Sequence, residues 1–311
     1  MNPTDYKHID NWNNRGCLVG CDYSGVVEEL GSGYSKPWKV GDRICGFAHG
    51  GNELNHEDGA FAVSIVVKAD IAIRLPDSMS HEEGCTLPVA VITCGQALFM
   101  DTELPRPLPD GVMASTGRYI LIYGGSSATG SIAIQFAKLV GLVPITICSA
   151  RNFEFVSSLG AVAAFDYNNP EACVAHIQEF MDSRGGIEYV FDTISTAKSA
   201  EICGKLIETG GVWAYTLLGT DIPREDVKKI YPLAYLSTGE RIKKGDHVDF
   251  AASRANFDFV QEWALLVESL LQKSLLRPHP SYIEHGLEKV LDGLELMRGG
   301  KVSGKKLVYM L

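Results

Sequence analysis

Residues 119–141 read YILIYGGSSATGSIAIQFAKLVG. The apolar, β-branched start predicts a strand, and the apolar residues that resume after Gly130 at helical spacing predict a helix. Between them lie only Gly124, Gly125, Ser126, Ser127, Ala128, Thr129 and Gly130. A strand-to-helix turn with so little side chain lets main-chain N–H groups at a helix N-terminus approach a pyrophosphate. A tight structural turn would use the same residues; the placement directly after a strand and before a helix is what points to a nucleotide. Ala128 departs from the ideal glycine spacing, so the turn is expected to be slightly wider than the usual dinucleotide motif.

Downstream the rhythm continues as strand and helix in alternation, with strands expected at 119–124, 144–149, 163–167, 187–194 and 211–218. Several are continuous apolar runs, the pattern of a parallel sheet buried on both faces. This predicts an α/β fold with a doubly wound parallel sheet. The second strand ends in CSARNF. No carboxylate is there to accept a ribose 2′-hydroxyl, whereas Ser149, Arg151 and Asn152 offer donors suited to a 2′-phosphate, so NADPH is preferred over NADH. Tyr167, ending the third strand in FDY, is placed to close the same pocket. Beyond Phe250 come two helices and a closing strand, KKLVYML.

Upstream, Cys17 to Pro76 is strand-like and punctuated by glycines, which predicts a small antiparallel barrel. In AFAVSIVVKADIAIRL, Phe61, Val63, Ile65 and Val67 alternate as a half-buried strand requires. Ser80 and Glu83 form a capping box, so a helix is expected to begin there and run toward Leu98.

The chain has 311 residues, 46% of them hydrophobic, enough for two domains. A net charge of −10 argues against covering nucleic acid, which needs a clustered excess of Lys and Arg. The opening MNPTDYKHIDNWNNRG has no apolar leader core, and no apolar run is read as reaching the roughly 18 residues that span a bilayer, so a cytoplasmic protein without membrane attachment is expected. Eight scattered cysteines with no CxxC pair read as reduced, buried thiols. Cys45, His49 and His56 are read as loop residues rather than a metal site.

The order of parts, carried by NPTDYK (2–7), GCDYSGVVEELGSG…WKVGDRICGF (20–47) and GKVSGKKLVYML (300–311), resembles the medium-chain dehydrogenase/reductase superfamily. NPTDYKH, GGSSAT, CSARNF, FDY and LRPHP are most similar to the fungal trans-acting enoyl reductases of polyketide synthases, with quinone oxidoreductases next. The resemblance implies a GroES-like β-barrel domain over 1–95 and 250–311 and a Rossmann NADPH-binding domain over 96–249. Many superfamily members hold catalytic zinc through an early Cys and a G-H-E motif; here Asn2 and G-C-D (20–22) stand in those places, the four-cysteine structural loop is missing, and no metal is expected. No Tyr has a Lys four residues on, which excludes the usual short-chain reductase pair. The family also places several barrel strands before its NPxD motif, on which this sequence opens. Either the sequence starts late relative to the family or the barrel is open on one side; in the second case Val26 and Ile44 are expected to be partly uncovered, at about 25 cal/mol per Å² of apolar surface.

The implied reaction is hydride delivery from NADPH to the β-carbon of an enoyl thioester, with donors for the thioester oxygen and a proton for the α-carbon. By resemblance, Lys7 is the candidate catalytic residue. Thr4, Asp5, Tyr6, Lys7, Ser126, Ser127, Ala128, Thr129, Ser149, Ala150, Arg151, Asn152, Tyr167, Thr216, Leu217, Val302 and Ser303 would line the cofactor. Cys94, Gly95, Gln96, Ala97, Leu98, Phe99, Met100, Asp101, Leu236, Ser237, Thr238 and Gly239 would line the substrate cleft. A monomer working with a polyketide synthase, on acyl-carrier-protein-bound substrate, is implied. An NADPH-dependent quinone or enone reductase, or a silent NADPH-binding protein, remains an alternative.

Overall fold

The computed structural model describes residues 1–12 and 15–311. The chain forms two compact units, Met1–Ile92 with Ala234–Leu311, and Thr93–Leu233. The return to the first unit comes at Ala234, so residues 234–249, expected with the nucleotide domain, belong to the first unit. No barrier of composition marks that crossing in the sequence.

The second unit is a six-stranded parallel sheet in the order β6-β5-β4-β7-β8-β9. Its strands are β4 (Tyr119–Tyr123), β5 (Val143–Ile147), β6 (Ala163–Phe165), β7 (Ile187–Asp192), β8 (Ile207–Tyr215) and β9 (Lys228–Ile230). Helices α4 (Ala128–Leu139), α5 (Phe153–Leu159), α6 (Pro170–Met181) and α7 (Ala197–Leu206) form the crossovers. The centre of the sheet is dry: Ile120, Leu121, Ile122, Ile145 and Ile147 are fully buried, which is why these strands read as unbroken apolar runs. The sheet grows in one direction from β4 to β5 and in the other to β7. The order therefore reverses at the C-terminal end of β4, where an open α/β sheet leaves its ligand crevice.

The first unit opens on α1 (Pro3–Asn11) and carries the antiparallel sheet β1 (Asp22–Val26), β2 (Arg43–Phe47) and β3 (Ile73–Arg74). A hairpin of β10 (Ile242–Lys244) and β11 (Val248–Phe250) follows the unit's second segment inward. Then come α8 (Arg254–Gln272), α9 (Val290–Arg298) and a parallel pair, β12 (Ser281–His285) with β13 (Lys306–Met310). The strand expected through Phe61–Val67 is not formed. That segment pairs with no strand among the described residues, and although Ile65 and Val67 pack against Tyr23, Trp38 and Ile44, Val63 is 83% exposed. Alternation supplied a face, but a strand also needs a ladder partner. Of the two positions expected to be uncovered, Val26 is 53% exposed while Ile44 is buried at 8%. Alongside lies an open groove of about 1880 Å³, lined by β1, residues 60–70 and the end of β13.

Ser80 caps as expected, accepting from Glu83 N at 3.2 Å while Glu83 accepts from Ser80 N at 2.9 Å. The helix then breaks into α2 (His81–Gly84) and α3 (Pro88–Gly95), followed by a π-helical turn, Gln96–Met100. Contrary to the sequence reading, His81–Met100 is long and apolar enough to cross a membrane, with mean hydropathy 1.3, but 78% of it is buried inside the fold. The eight cysteines are unpaired, and all but Cys17 and Cys85 are buried.

Candidate active site

The turn after β4 is built by close packing. A Cβ on Gly125 would collide with Thr146 Oγ1, and one on Gly130 with the carbonyl oxygen of Gly124, so neither position admits a side chain. Ser127 caps α4 by accepting from Gly130 N at 2.9 Å, and its hydroxyl meets Thr193 Oγ1 at 3.0 Å. The main-chain N–H groups of Ser126, Ala128 and Thr129 find no acceptor among the described residues. They are the unsatisfied donors of a helix N-terminus, carrying its partial positive charge.

Next to this turn the expected 2′-phosphate residues converge. Asn152 Nδ2 donates to Ser126 Oγ at 3.0 Å, and Ser149 Oγ lies 2.9 Å from Tyr167 OH. Arg151 is exposed, with no ion pair or hydrogen bond among the described residues. Lys198, at the start of α7, holds its ammonium 5.9 Å from the Tyr167 ring centroid. Sequence reading missed Lys198, because only the fold brings the start of α7 to Tyr167; no local motif marks it. Asp166 also lies here, engaged by Asn168 N at 2.8 Å. Thr216 is tied by its main-chain N–H to Ser195 Oγ at 2.7 Å. A phosphate-bearing dinucleotide fits this end of the unit: free N–H donors, a glycine cradle and two cations.

In the first unit, Asn2 Nδ2 donates to Asp22 Oδ2 at 2.7 Å, and Lys306 Nζ bonds both Asp22 Oδ2 and Asn2 Oδ1, the latter at 3.0 Å. Asp22 and Lys306 are almost wholly buried, and Val89 N satisfies the other carboxylate oxygen at 2.7 Å. A second buried cluster surrounds Tyr235, in a short 3₁₀ turn (Ala234–Thr238). Its hydroxyl lies 2.6 Å from Thr4 Oγ1 and 3.6 Å from Cys21 Sγ. Lys244 Nζ sits 3.9 Å from the Tyr235 ring centroid and bonds His8 Nε2, while His8 Nδ1 lies 2.8 Å from Gly50 O. Burial, aided by the Lys244 charge, holds both His8 and His49 down at about 3, and burial lowers Lys244 to about 8. Lys7 is half-buried, which lowers its pKa as well, and it makes no hydrogen bond among the described residues.

Two domain families match the chain: "Alcohol dehydrogenase GroES-like domain" over residues 1–77 and "Zinc-binding dehydrogenase" over 128–243. The trans-enoyl reductase resD of Aspergillus sclerotiorum is 40% identical over 320 residues, covering 99% of this chain and 89% of that protein. The trans-enoyl reductase TOXD of Cochliobolus carbonum is 45% identical over 77% of this chain and 79% of its own. The chain belongs to the trans-enoyl reductases. Among solved structures, the CurK enoyl reductase superposes with a TM-score of 0.75 at 15% identity, covering 100% of this chain and 88% of its own. The quinone oxidoreductase of Coxiella burnetii gives 0.71 at 23%, covering 100% and 87%; at these identities both speak for the fold alone. This trans-enoyl reductase is thus a medium-chain oxidoreductase acting on C=C bonds, in a family that takes a nicotinamide cofactor.

Despite the zinc-binding name of one matching family, the donor set does not suit zinc. At the positions where other superfamily members hold zinc, an amide, a carboxylate and an ammonium satisfy one another, and the lysine charge occupies the place a cation would need. Cys45 and His49 are buried apart from exposed His56, and no group of three ligating side chains forms among the described residues.

The expected residues divide between the units. Ser126, Ser127, Ala128, Thr129, Ser149, Ala150, Arg151, Asn152, Tyr167, Thr216 and Leu217 lie on the second, while Thr4, Asp5, Tyr6, Lys7, Val302 and Ser303 lie on the first. Within the second unit they gather at the ends of β4, β5, β6 and β8. Asp5 is buried with its carboxylate accepting Asn2 N at 2.6 Å, which makes it the far half of α1's capping box. Of the expected substrate residues, Cys94, Gln96, Ala97, Leu98 and Phe99 are buried, Phe99 edge-on to Phe136 at 6.0 Å; Met100 and Asp101 retain exposure. Leu236, Ser237, Thr238 and Gly239 form and follow the Tyr235 turn, where Ser237 Oγ is buried with no hydrogen-bond partner among the described residues. The cluster of Tyr235, Lys244, His8 and His49 was not legible in sequence, since its members lie in four separate segments.

Proposed function

We propose that this trans-enoyl reductase uses NADPH to reduce the α,β-double bond of an acyl thioester held on the carrier protein of a partner polyketide synthase. The observation that carries the cofactor choice is Lys198 over the Tyr167 ring, whose hydroxyl meets Ser149, with Arg151 exposed two residues further along the same loop. Two charge-assisted donors suit a 2′-phosphate and offer nothing comparable to a bare 2′-hydroxyl. Bound NADPH would supply the hydride. The N–H groups of Ser126, Ala128 and Thr129 would hold its pyrophosphate, and the glycine cradle would let the main chain approach. Lys7 would steady the oxygen that gains charge as the β-carbon is reduced. A monomer in the cytosol is the proposed working form.

Incubating the protein with NADPH and a crotonyl-pantetheine thioester tests this. Loss of the reduced nicotinamide absorbance with formation of butyryl thioester is expected, with little turnover of a benzoquinone. Turnover of quinone without thioester reduction, or equal use of NADH, overturns the reading.

A further inference from the structure

Lys244 is a buried cation that forms no ion pair among the described residues. Its ammonium is satisfied by the Tyr235 ring face and by His8 Nε2. The contact from His8 Nδ1 to the Gly50 carbonyl assigns the imidazole proton to Nδ1, so Nε2 is the acceptor for Lys244, with Thr4 Oγ1 also 3.5 Å away. Tyr235 is also fixed on its edges, with ring centroids of Phe47 at 5.4 Å and His49 at 4.7 Å. Burying an unpaired lysine is costly, so a purely structural core would be better served by an apolar side chain. Among the described residues the hydroxyl bonded to Tyr235 is that of Thr4, which is not fully buried. Thr4 stands three residues before Lys7 on α1, a spacing that puts the two on one helix face.

Resting on the reading above, we propose that Thr4, Tyr235 and Lys244 form the proton-delivering arm of the reductase. Hydride addition to the β-carbon leaves an enolate. A proton passes from Thr4 Oγ1 to the α-carbon, forming the new C–H bond, as the Tyr235 phenolic proton passes to Thr4 Oγ1. The tyrosinate left behind is balanced by the Lys244 ammonium over its ring until water returns one proton, which completes the uptake of one H⁺ per NADPH oxidised. Thr4 touches the reacting atom; Tyr235 and Lys244 are positioning residues that act through it. The titratable or charged groups facing Lys244 are His8 from α1, Tyr235 from its turn, Cys21 before β1, and His49 and Glu53 after β2. With both histidines neutral across the working range, loss of the ammonium above about pH 8 is the titration that disables the arm.

The test uses Tyr235→Phe, which keeps the ring under Lys244, with crotonyl-pantetheine and NADPH. Turnover is expected to fall by about 10²-fold or more, the usual worth of a positioned proton donor. The solvent deuterium isotope effect should rise, and NADPH affinity read from nicotinamide fluorescence should stay unchanged. Lys244→Met should erase the alkaline fall in rate near pH 8, and Lys244→Arg should restore activity with that fall displaced upward. Wild-type turnover with Tyr235→Phe within twofold of it overturns the inference alone, as does an equal loss of NADPH affinity, which would mark a structural role. A wild type that reduces no thioester defeats the functional reading, and the arm falls with it.

Discussion

At the scale of single residues, charge placement decides cofactor preference. Arg151→Ala is expected to raise the NADPH dissociation constant about ten- to a hundredfold, the worth of one charge-assisted bond, and to leave NADH nearly unchanged. Lys198→Ala should act in the same direction, and titration of each variant with both coenzymes checks it. Arg151 was visible in the sequence because CSARNF follows a strand directly. Lys198 was not, since it meets Tyr167, much earlier in the chain, only in the folded unit. The departures at Asn2 and Cys21–Asp22 were equally legible as a missing zinc set. What takes zinc's place, Lys306, comes from the far end of the chain, and no spacing rule connects it to residue 22.

At the scale of elements, the phosphate turn depends on both ends of its helix. Ser127→Ala removes the cap of α4 and the bond to Thr193, and should cost about 0.5–2 kcal/mol of unfolding free energy in denaturant titration. Gly130→Ala drives a methyl into the Gly124 carbonyl, so NADPH binding is expected to be lost even where the variant still folds. The β4–α4 turn was readable because strand period, small residues and helix period succeed one another within one local stretch. The supposed strand at Phe61–Val67 shows the limit of the same method. Alternation records which side chains can share a face, whereas pairing is a long-range event settled by another segment's free edge. The π-helical turn at Gln96–Met100 likewise left no signal in an apolar sequence that any buried helix could carry.

At the scale of the whole molecule, three buried histidines set the response to acid. Burial holds His8, His49 and His279 at about 3, well below the ordinary value of 6.5. Between those values the unfolded chain binds protons that the folded chain refuses, so stability is complete above pH 6.5 and is lost as pH falls through the window toward 3. The slope approaches about 4 kcal/mol per pH unit when all three contribute, and thermal melts from pH 7 to pH 4 should show the midpoint dropping steeply below pH 6. The two-unit division and the parallel sheet were legible from the change of rhythm near residue 119, because periodicity integrates over long windows. The return at Ala234 was not, since the Tyr235 turn and β10 carry no compositional break.

The Lys306–Asp22 pair gives β13 an unusual duty. Because β13 carries this buried counter-charge, cleavage of the chain ahead of Lys306 would strand the Asp22 anion in the interior. A molecule nicked there should unravel from the inside, around the uncompensated carboxylate.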